Sequence, residues 1–389
     1  MNKPKLSICM IAKDEEANLK RCLDSFLPII HEPWCELIIV DTGSTDRTIH
    51  VAKEYTDQVY EKDFIPWDFS AARNYGIKKA HGEKVLIIDA DEELKQESLY
   101  ILEDLIMNPD HKEPTAFFNL RSFYTRDLKQ FSEVLQPRLF TLDEDFCYQH
   151  AVHNKPNCKP QYLFAPNITI NHYGYIFEGK KGEALYQKKN NDRSLPLLER
   201  DHKKTPDDIH TLTHLVKTYY VTRNFDKTIE YGEMWVKKMR KEKYNEGWTA
   251  FLEVFINLVG AYLAKDDIKN AEKTEREACH YSNRLTQIYL MIGNWYTGKD
   301  NEKAKELFEM AVHIETTQGS IYDQLLTSNT NNIIPEIYNW LATHEFEKGH
   351  YEKSGEYLNK GIMANNNRLP IRWDVWNQEK SRGNLIEVK

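Results

Sequence analysis

Two carboxylates separated by one alanine, Asp89-Ala90-Asp91, follow directly on the apolar run Val85-Leu86-Ile87-Ile88. A run this apolar reads as a strand buried on both faces, as in a parallel sheet, and the strand is expected over Lys84–Asp89. The carboxylates then sit at or just past its carboxyl end, where open α/β sheets bind ligands. Side by side they repel one another and are costly to desolvate. A divalent cation removes both penalties, and Mg²⁺ commonly takes one or two carboxylates together with substrate phosphates. The pattern therefore points to a metal–diphosphate site. The bland alternative is an acidic turn capping the next helix.

The elements that must position this pair alternate along the chain. Leu6–Ala12 reads as a first buried strand. A helix follows with Leu19, Cys22, Leu23, Phe26 and Leu27 on one face, ended by Pro28 and Pro33. Glu36–Asp41 is a second apolar strand that again ends in an acid, and the turn Thr42–Asp46 offers Ser44 or Thr45 as the next helix cap. A short strand is expected at Gln58–Glu61. Asp68 or Ser70 then opens a helix carrying Arg73 and Asn74 in its first turns, with Gly82 closing it. Strand–helix alternation predicts a doubly wound sheet. Asp41 and Asp89 would point into one crevice, where Asp41 can accept hydrogen bonds from a base or ribose. Arg73 would offer a phosphate a bidentate donor at a helix N-terminus, unless it makes a surface ion pair. There is no G-x-G-x-x-G after the first strand and no P-loop.

Composition bounds the partners. The 389-residue chain carries a net charge of −8, which argues against nucleic acid. Its six cysteines are scattered without a C-x-x-C pair, which predicts a reducing compartment. The apolar start is too short for a signal peptide, and no apolar run approaches the ~20 residues of a membrane span. A soluble, cytoplasmic protein is expected.

After a helix at Gln96–Met107, Thr115–Tyr124 alternates like an antiparallel edge strand, and Gln136–Phe140 is a short strand carrying Arg138. His150 and His153 lie within Tyr148–Lys155, and His172 within Ile168–Tyr175. From Thr205 on, helical periodicity takes over. Four pieces align as helix pairs: Leu215–Val236, Leu258–Cys279, Ile292–Val312 and Ile337–Ile362. Ile229, Ala271, Ala304 and Ser354 stand at the expected close-packing points. One interval fits a tetratricopeptide repeat of about 34 residues, and the others need insertions. Stacked pairs leave a concave face for a peptide or a second copy of the chain, giving a homodimer, or else form a scaffold with no ligand of its own.

Four stretches in order, Ser7–Glu16, Glu36–Asp46, Phe69–Asn74 and Asp89–Glu92, resemble the successive motifs of inverting family 2 glycosyltransferases. The resemblance implies a GT-A domain over residues 1–200 that uses a nucleotide-diphosphate sugar, such as a UDP-sugar, with Mn²⁺ or Mg²⁺. A tetratricopeptide-like helical domain over 201–389 would follow it. By the same resemblance Asp41 would contact uracil, Asp89 would sit near ribose and metal, and Asp91 would ligate the metal. Ala12 and Asp14 would line the nucleotide pocket, with Ser70, Arg73, Ala90 and Arg138 completing the donor contacts. Members with helical repeats often read R-L-F, V-H-E and H-x-G-Y, which Arg138, His153 and His172–Tyr175 match. His172 becomes the candidate third metal ligand, since imidazole suits Mn²⁺.

One departure concerns the acceptor. Asn154 stands where the family has Glu, and an amide is no general base. His153 could serve, its ordinary pKa of about 6.5 suiting the task. Asp143 or Asp145 could take the role. Alternatively the acceptor is a thiol, which needs less help. A further departure is Ser194, which replaces an Asn in the linker Tyr186–Asp201, where Arg193 matches a K-x-x-R-N pattern. The layout resembles peptide glycosyltransferases that modify bacteriocin precursors on Cys. It implies a peptide or protein acceptor, at a Cys thiol or a Ser/Thr hydroxyl. A repeat scaffold with an inactive transferase domain, or a transferase acting on a glycan or lipid-linked acceptor, are the alternatives.

Overall fold

The computed structural model describes residues 3–241, 252–282, 284–317 and 334–364. The chain divides into two compact units, Met1–Thr218 and Tyr219–Lys389.

The first unit is built on an eight-stranded mixed sheet, with strand order β3-β2-β1-β4-β7-β6-β10-β5. The strands are β1 (Leu6–Ala12), β2 (Cys35–Asp41), β3 (Val59–Glu61), β4 (Lys84–Ile87), β5 (Glu92–Leu94), β6 (Thr115–Phe123), β7 (Phe131–Thr141) and β10 (Tyr162–His172). A separate two-stranded ribbon pairs β8 (Tyr148–Gln149) with β9 (Lys155–Pro156). β1 runs parallel to both β2 and β4, so strand order reverses at β1. Leu6, Ile8 and Met10 pack on one face with Leu19, Leu23 and Phe26 of the first helical segment. Cys9 turns to the other face with Ile38, Val85 and Phe140. Burial on both faces explains the unbroken apolar runs of these strands.

The helices of this unit are α1 (Glu16–Asp24), α2 (Leu27–Ile30), α3 (Thr48–Lys53), α4 (Phe69–Ile77), α5 (Gln96–Met107), α6 (Gly179–Lys189) and α7 (Leu195–Lys204), with α8 (Ile209–Val221) after them. Several expectations are corrected. Pro28 does not end the first helix; it sits in the first turn of α2, where its missing N–H costs nothing. Neither Ser44 nor Thr45 caps α3: Arg47 holds the cap position without a side-chain cap, and Asp46 just before it accepts from Thr48 N. α4 ends at Ile77, well before Gly82. Gly82 is needed because a Cβ there would come within 2.6 Å of Ser7 Oγ and 2.7 Å of Ser7 N. β4 stops at Ile87, two residues short of Asp89. Thr115–Phe123 is an interior strand, flanked by β7 and β10, because the long β10 covers what would be its free edge.

The second unit is helical throughout its described residues. α9 (Phe225–Met239), α10 (Glu253–Ala264), α11 (Ile268–Cys279), α12 (Thr286–Tyr296) and α13 (Asn301–Thr317) precede a last pair, Ile334–Glu347 and Tyr351–Ala364. The connecting turns use a residue in the left-handed region at Asp266, Gly298 and Gly349, with φ of 58°, 79° and 79°. Asn224 and Asp267 cap the helices that follow them, each accepting from the backbone N–H three residues on. Ala271, Ala304 and Ser354 are fully buried, as their small size requires. In the first pair the buried position is Thr228, not Ile229. Counted from the cap it is four residues on, the same offset as Ala271 from Asp267. Among the described residues no helix is long and apolar enough to cross a membrane.

Candidate active site

The first unit holds a cavity of 650 Å³ past the carboxyl ends of β1 and β4, lined by Ala12, Asp14, Arg73, Asp89, Ala90, Asp91 and His172 among others. This is the crevice where strand order reverses, the usual ligand site of such sheets.

Its floor is an ion-paired network. Arg73 reaches from the second turn of α4, whose N-terminus Asp68 caps, and donates from Nη2 to Asp89 Oδ1 at 2.6 Å. Burial alone would raise the Asp89 pKa, but the guanidinium groups of Arg73 and Arg138 hold it at about 2. Asp89 N donates to Glu92 Oε2 at 2.9 Å, and Glu92 Oε1 accepts from Arg138. Burial pushes Glu92 up to about 7 against the pull of Arg138. Arg138 also reaches the carbonyl of Ile87 and is 7% exposed. It therefore braces the loop that carries Asp89 from below, away from the cavity wall. Arg73 keeps two buried donors, Nε and Nη1, without a protein partner.

Asp91 meets His172 through sheet pairing. β5 begins at Glu92 and pairs antiparallel with β10, which sets His172 opposite Glu92. His172 is set opposite Ser122 on the other side. His172 Nε2 lies 3.5 Å from Asp91 Oδ2, and Ser122 Oγ lies 3.1 Å from His172 Nδ1. Desolvation would lower the His172 pKa, but Asp91 raises it overall. A Cβ on Gly174 would collide with Asp91 Oδ2 and approach His172 Nε2 to 2.8 Å. The glycine thus leaves room beside one carboxylate oxygen and one imidazole nitrogen, while a hydroxyl occupies the other nitrogen. That is a donor set and a cradle that suit a divalent cation. Among the described residues no three His, Cys, Asp or Glu side chains form a complete metal site. A cation here would therefore draw further ligands from its anion, as Mg²⁺ does with phosphates.

The two turns at the front of the sheet tie to one another. Asp41 is 2% exposed, and its carboxylate accepts from Gly43 N, Ser44 N and Ser44 Oγ. It shapes the turn, and Thr42 lines the cavity in its place. Asp14, at φ 55°, accepts from Thr45 N at 2.7 Å and lines the wall. Ser70 donates to Asp68 Oδ1 and supports the cap of α4.

Residues 7–158 match the family model described as glycosyl transferase family 2. The matched stretch lies within the first unit. A TPR repeat-containing protein of Synechococcus elongatus is 35% identical over 182 residues, covering 44% of this chain and 42% of that protein. An uncharacterized glycosyltransferase of Rickettsia typhi is 38% identical over 94 residues, covering 24% of this chain and 30% of its own. The chain thus spans less than half the length of these curated relatives. A crystal structure of S. aureus TarS in complex with UDP-GlcNAc aligns at 14% identity over 82% of this chain and 93% of that one, with a TM-score of 0.38.

The residues expected to activate an acceptor lie elsewhere in the transferase domain. His153 and Asn154 are not among those lining the cavity. The His153 ring stacks on His214 at 4.0 Å and 5°. His210 lies edge-on to His214 at 4.6 Å and stacks on His150 at 4.3 Å. The stacked ring face is desolvated, and with the nearby Lys217 ammonium this lowers the His153 pKa to about 4, far from a base matched to neutral pH. Asp143 pairs with Lys159, and neither it nor Asp145 lines the cavity. Trp67, Phe69, Lys189 and Asp192 do line it and were not singled out from the sequence. The aromatic pair flanks the helix cap Asp68, which was legible. The basic residue closes what read as a linker.

Proposed function

We propose that this protein transfers a hexose from a UDP-sugar to a peptide or protein acceptor, with inversion at the anomeric carbon. The observation that carries the reading is the Asp91–His172 pair, open at Gly174, in the same cavity as the unpartnered donors of Arg73.

Asp91 and His172 would hold Mn²⁺ or Mg²⁺, with Ser122 keeping the His172 ring oriented. When bound, the cation offsets the diphosphate charge as UDP departs. Arg73 has Nε and Nη1 free for a phosphate oxygen while Nη2 stays on Asp89, so Asp89 acts by aiming the guanidinium. Ala12, Asp14 and Thr42 wall the nucleotide end. An acceptor thiolate, its proton already released to solvent, attacks the anomeric carbon, the bond to the diphosphate breaks, and UDP leaves with the electron pair. A hydroxyl acceptor would release its proton to water in the same step. A Cys thiol suits this site, since a thiol is partly ionised near neutral pH and needs less help from a base. The helix pairs of the second unit would hold the acceptor peptide or a second copy of the chain. A 470 Å³ groove lined by Glu233, Lys237, Arg240, Tyr262 and Lys273 supports this. The six cysteines are all free, in keeping with a cytoplasmic setting.

The test is UDP release from UDP-glucose and UDP-GlcNAc with Mn²⁺ and candidate Cys-containing peptides. Wild type should turn over at least one donor, and Asp91→Ala should lose roughly 10²–10³-fold. Equal rates for the two proteins would refute the reading.

A further inference from the structure

The cavity wall has a basic stretch that the donor reading leaves unused. Lys189 closes α6, a π-helical turn follows at Asn190–Ser194, and α7 begins at Leu195. From this segment Lys189, Asp192, Arg193, Pro196 and Leu197 all line the cavity. Their spacing of i, i+3, i+4, i+7 and i+8 is that of one helix face. Ser194, Leu195 and Leu198 are buried and anchor the segment from behind. π-Helical turns inside α-helices recur at functional sites, because the wider turn re-aims side chains at a local cost.

Lys189 and Arg193 are like charges four residues apart, an arrangement that destabilises a helix. Among the described residues neither makes an ion pair. Their recorded partners are aromatic rings: Phe177 lies 5.5 Å from Lys189 Nζ, and Phe69 lies 5.2 Å from the Arg193 guanidinium. Lys189 is half-buried, and burial together with the adjacent Arg193 lowers its pKa. Two cations held together, one of them half-buried, carry a desolvation and repulsion cost that Asp91, Glu15 and Asp89 offset only through space, without an ion pair. An anion in the cavity would remove it. The carboxylates Asp14, Glu15, Asp89, Asp91 and Asp192 also line this cavity, so an anion must bring more charge than one carboxylate to be held against them. A diphosphate does.

We propose that Lys189 and Arg193 grip the diphosphate of the donor nucleotide from the wall formed by α6 and α7, as a second charge-neutralising element besides Arg73 and the metal position. Lys189 acts as a point charge and Arg193 as a forked donor. This rests on the nucleotide-sugar reading. It adds that the segment between the sheet domain and the helical pairs is part of the donor site and not only a connection.

The test is calorimetric titration of the full-length chain with UDP, UMP and uridine, each with Mn²⁺ and with EDTA. For Lys189→Ala and Arg193→Ala we expect UDP to bind about 10- to 100-fold more weakly, as loss of a charge-assisted contact to phosphate implies. UMP should lose less, and uridine should stay within about twofold, which also reports an intact pocket. Arg193→Lys should recover part of the UDP affinity. If the double variant binds UDP as wild type does, the inference fails and the donor reading stands. If all three ligands weaken equally, the pair is structural and the inference fails. If wild type binds none of the three, the donor reading falls and takes the inference with it.

Discussion

Two histidine sites in the first unit show how the same side chain is put to different use. His172 stands on a strand between two others, with one ring nitrogen facing a hydroxyl and the other facing Asp91 at the cavity wall. His150 and His153 sit in a loop at φ 69° and 49°, and their rings are spent on His210 and His214. The first arrangement leaves a lone pair directed at a cavity. The second satisfies the rings by stacking, and desolvation depresses the affinity of His153 for protons. An imidazole whose second nitrogen is held by the scaffold is the arrangement common to metal-binding histidines, and it is the basis of the role proposed for His172.

Breaking the first site should have the larger effect. Gly174→Ala places a methyl against Asp91 Oδ2 and His172 Nε2. Metal-dependent UDP affinity should fall roughly 10- to 100-fold, measured by calorimetry with Mn²⁺, while UDP binding in EDTA changes little. A variant that binds Mn²⁺ and UDP as wild type does would remove the space beside Gly174 from the account.

The second site should register in stability. His153 and His210 have pKa values lowered to about 4, and His214 is also lowered well below the ordinary histidine value, chiefly by desolvation. Unfolded histidines titrate near ~6.5. Between pH 6.5 and 4 the unfolded chain therefore binds more protons than the folded one, so these groups erode stability as pH falls through that window. His150 faces Asp208 at 3.7 Å, and Lys155 and Lys217 add positive charge around the stack. Urea midpoints should drop between pH 7 and pH 5, and His210→Gln with His214→Gln should flatten the drop. An unchanged slope in that double variant would contradict the assignment. The smallest effect is expected from His153→Ala, which should leave kcat for UDP release within about threefold. A loss approaching the ~10²-fold typical of a general base would restore His153 to the reaction.

Much of the donor side was legible because it is written in short-range pattern. The bounds of β1 follow from an unbroken apolar run, and Asp91 and His172 stand in compact motifs. Their meeting was not legible, since it depends on β5, three residues long, pairing with a strand some eighty positions away. Arg138 was expected among the donor contacts because the family resemblance placed it there. Only the fold shows that Glu92 claims it first. Asp41 at a strand end suggested a nucleotide contact, yet the turn it heads consumes its oxygens. Thr115–Phe123 read as an edge from its alternation, which cannot tell a half-exposed strand from one whose neighbour arrives later in the chain. The basic face of Lys189 and Arg193 was hidden by its place in a polar segment, where charge usually means solvent.

The central claim is that Asp91 and His172 form one half of a cation site completed by a nucleotide diphosphate. Its most direct test is electron paramagnetic resonance of Mn²⁺ titrated into the protein with and without UDP. Wild type should immobilise Mn²⁺ tightly only when UDP is present, and His172→Ala and Asp91→Asn should each weaken that ternary binding by at least about tenfold. Ternary Mn²⁺–UDP binding that is equally tight in wild type, His172→Ala and Asp91→Asn would contradict the account.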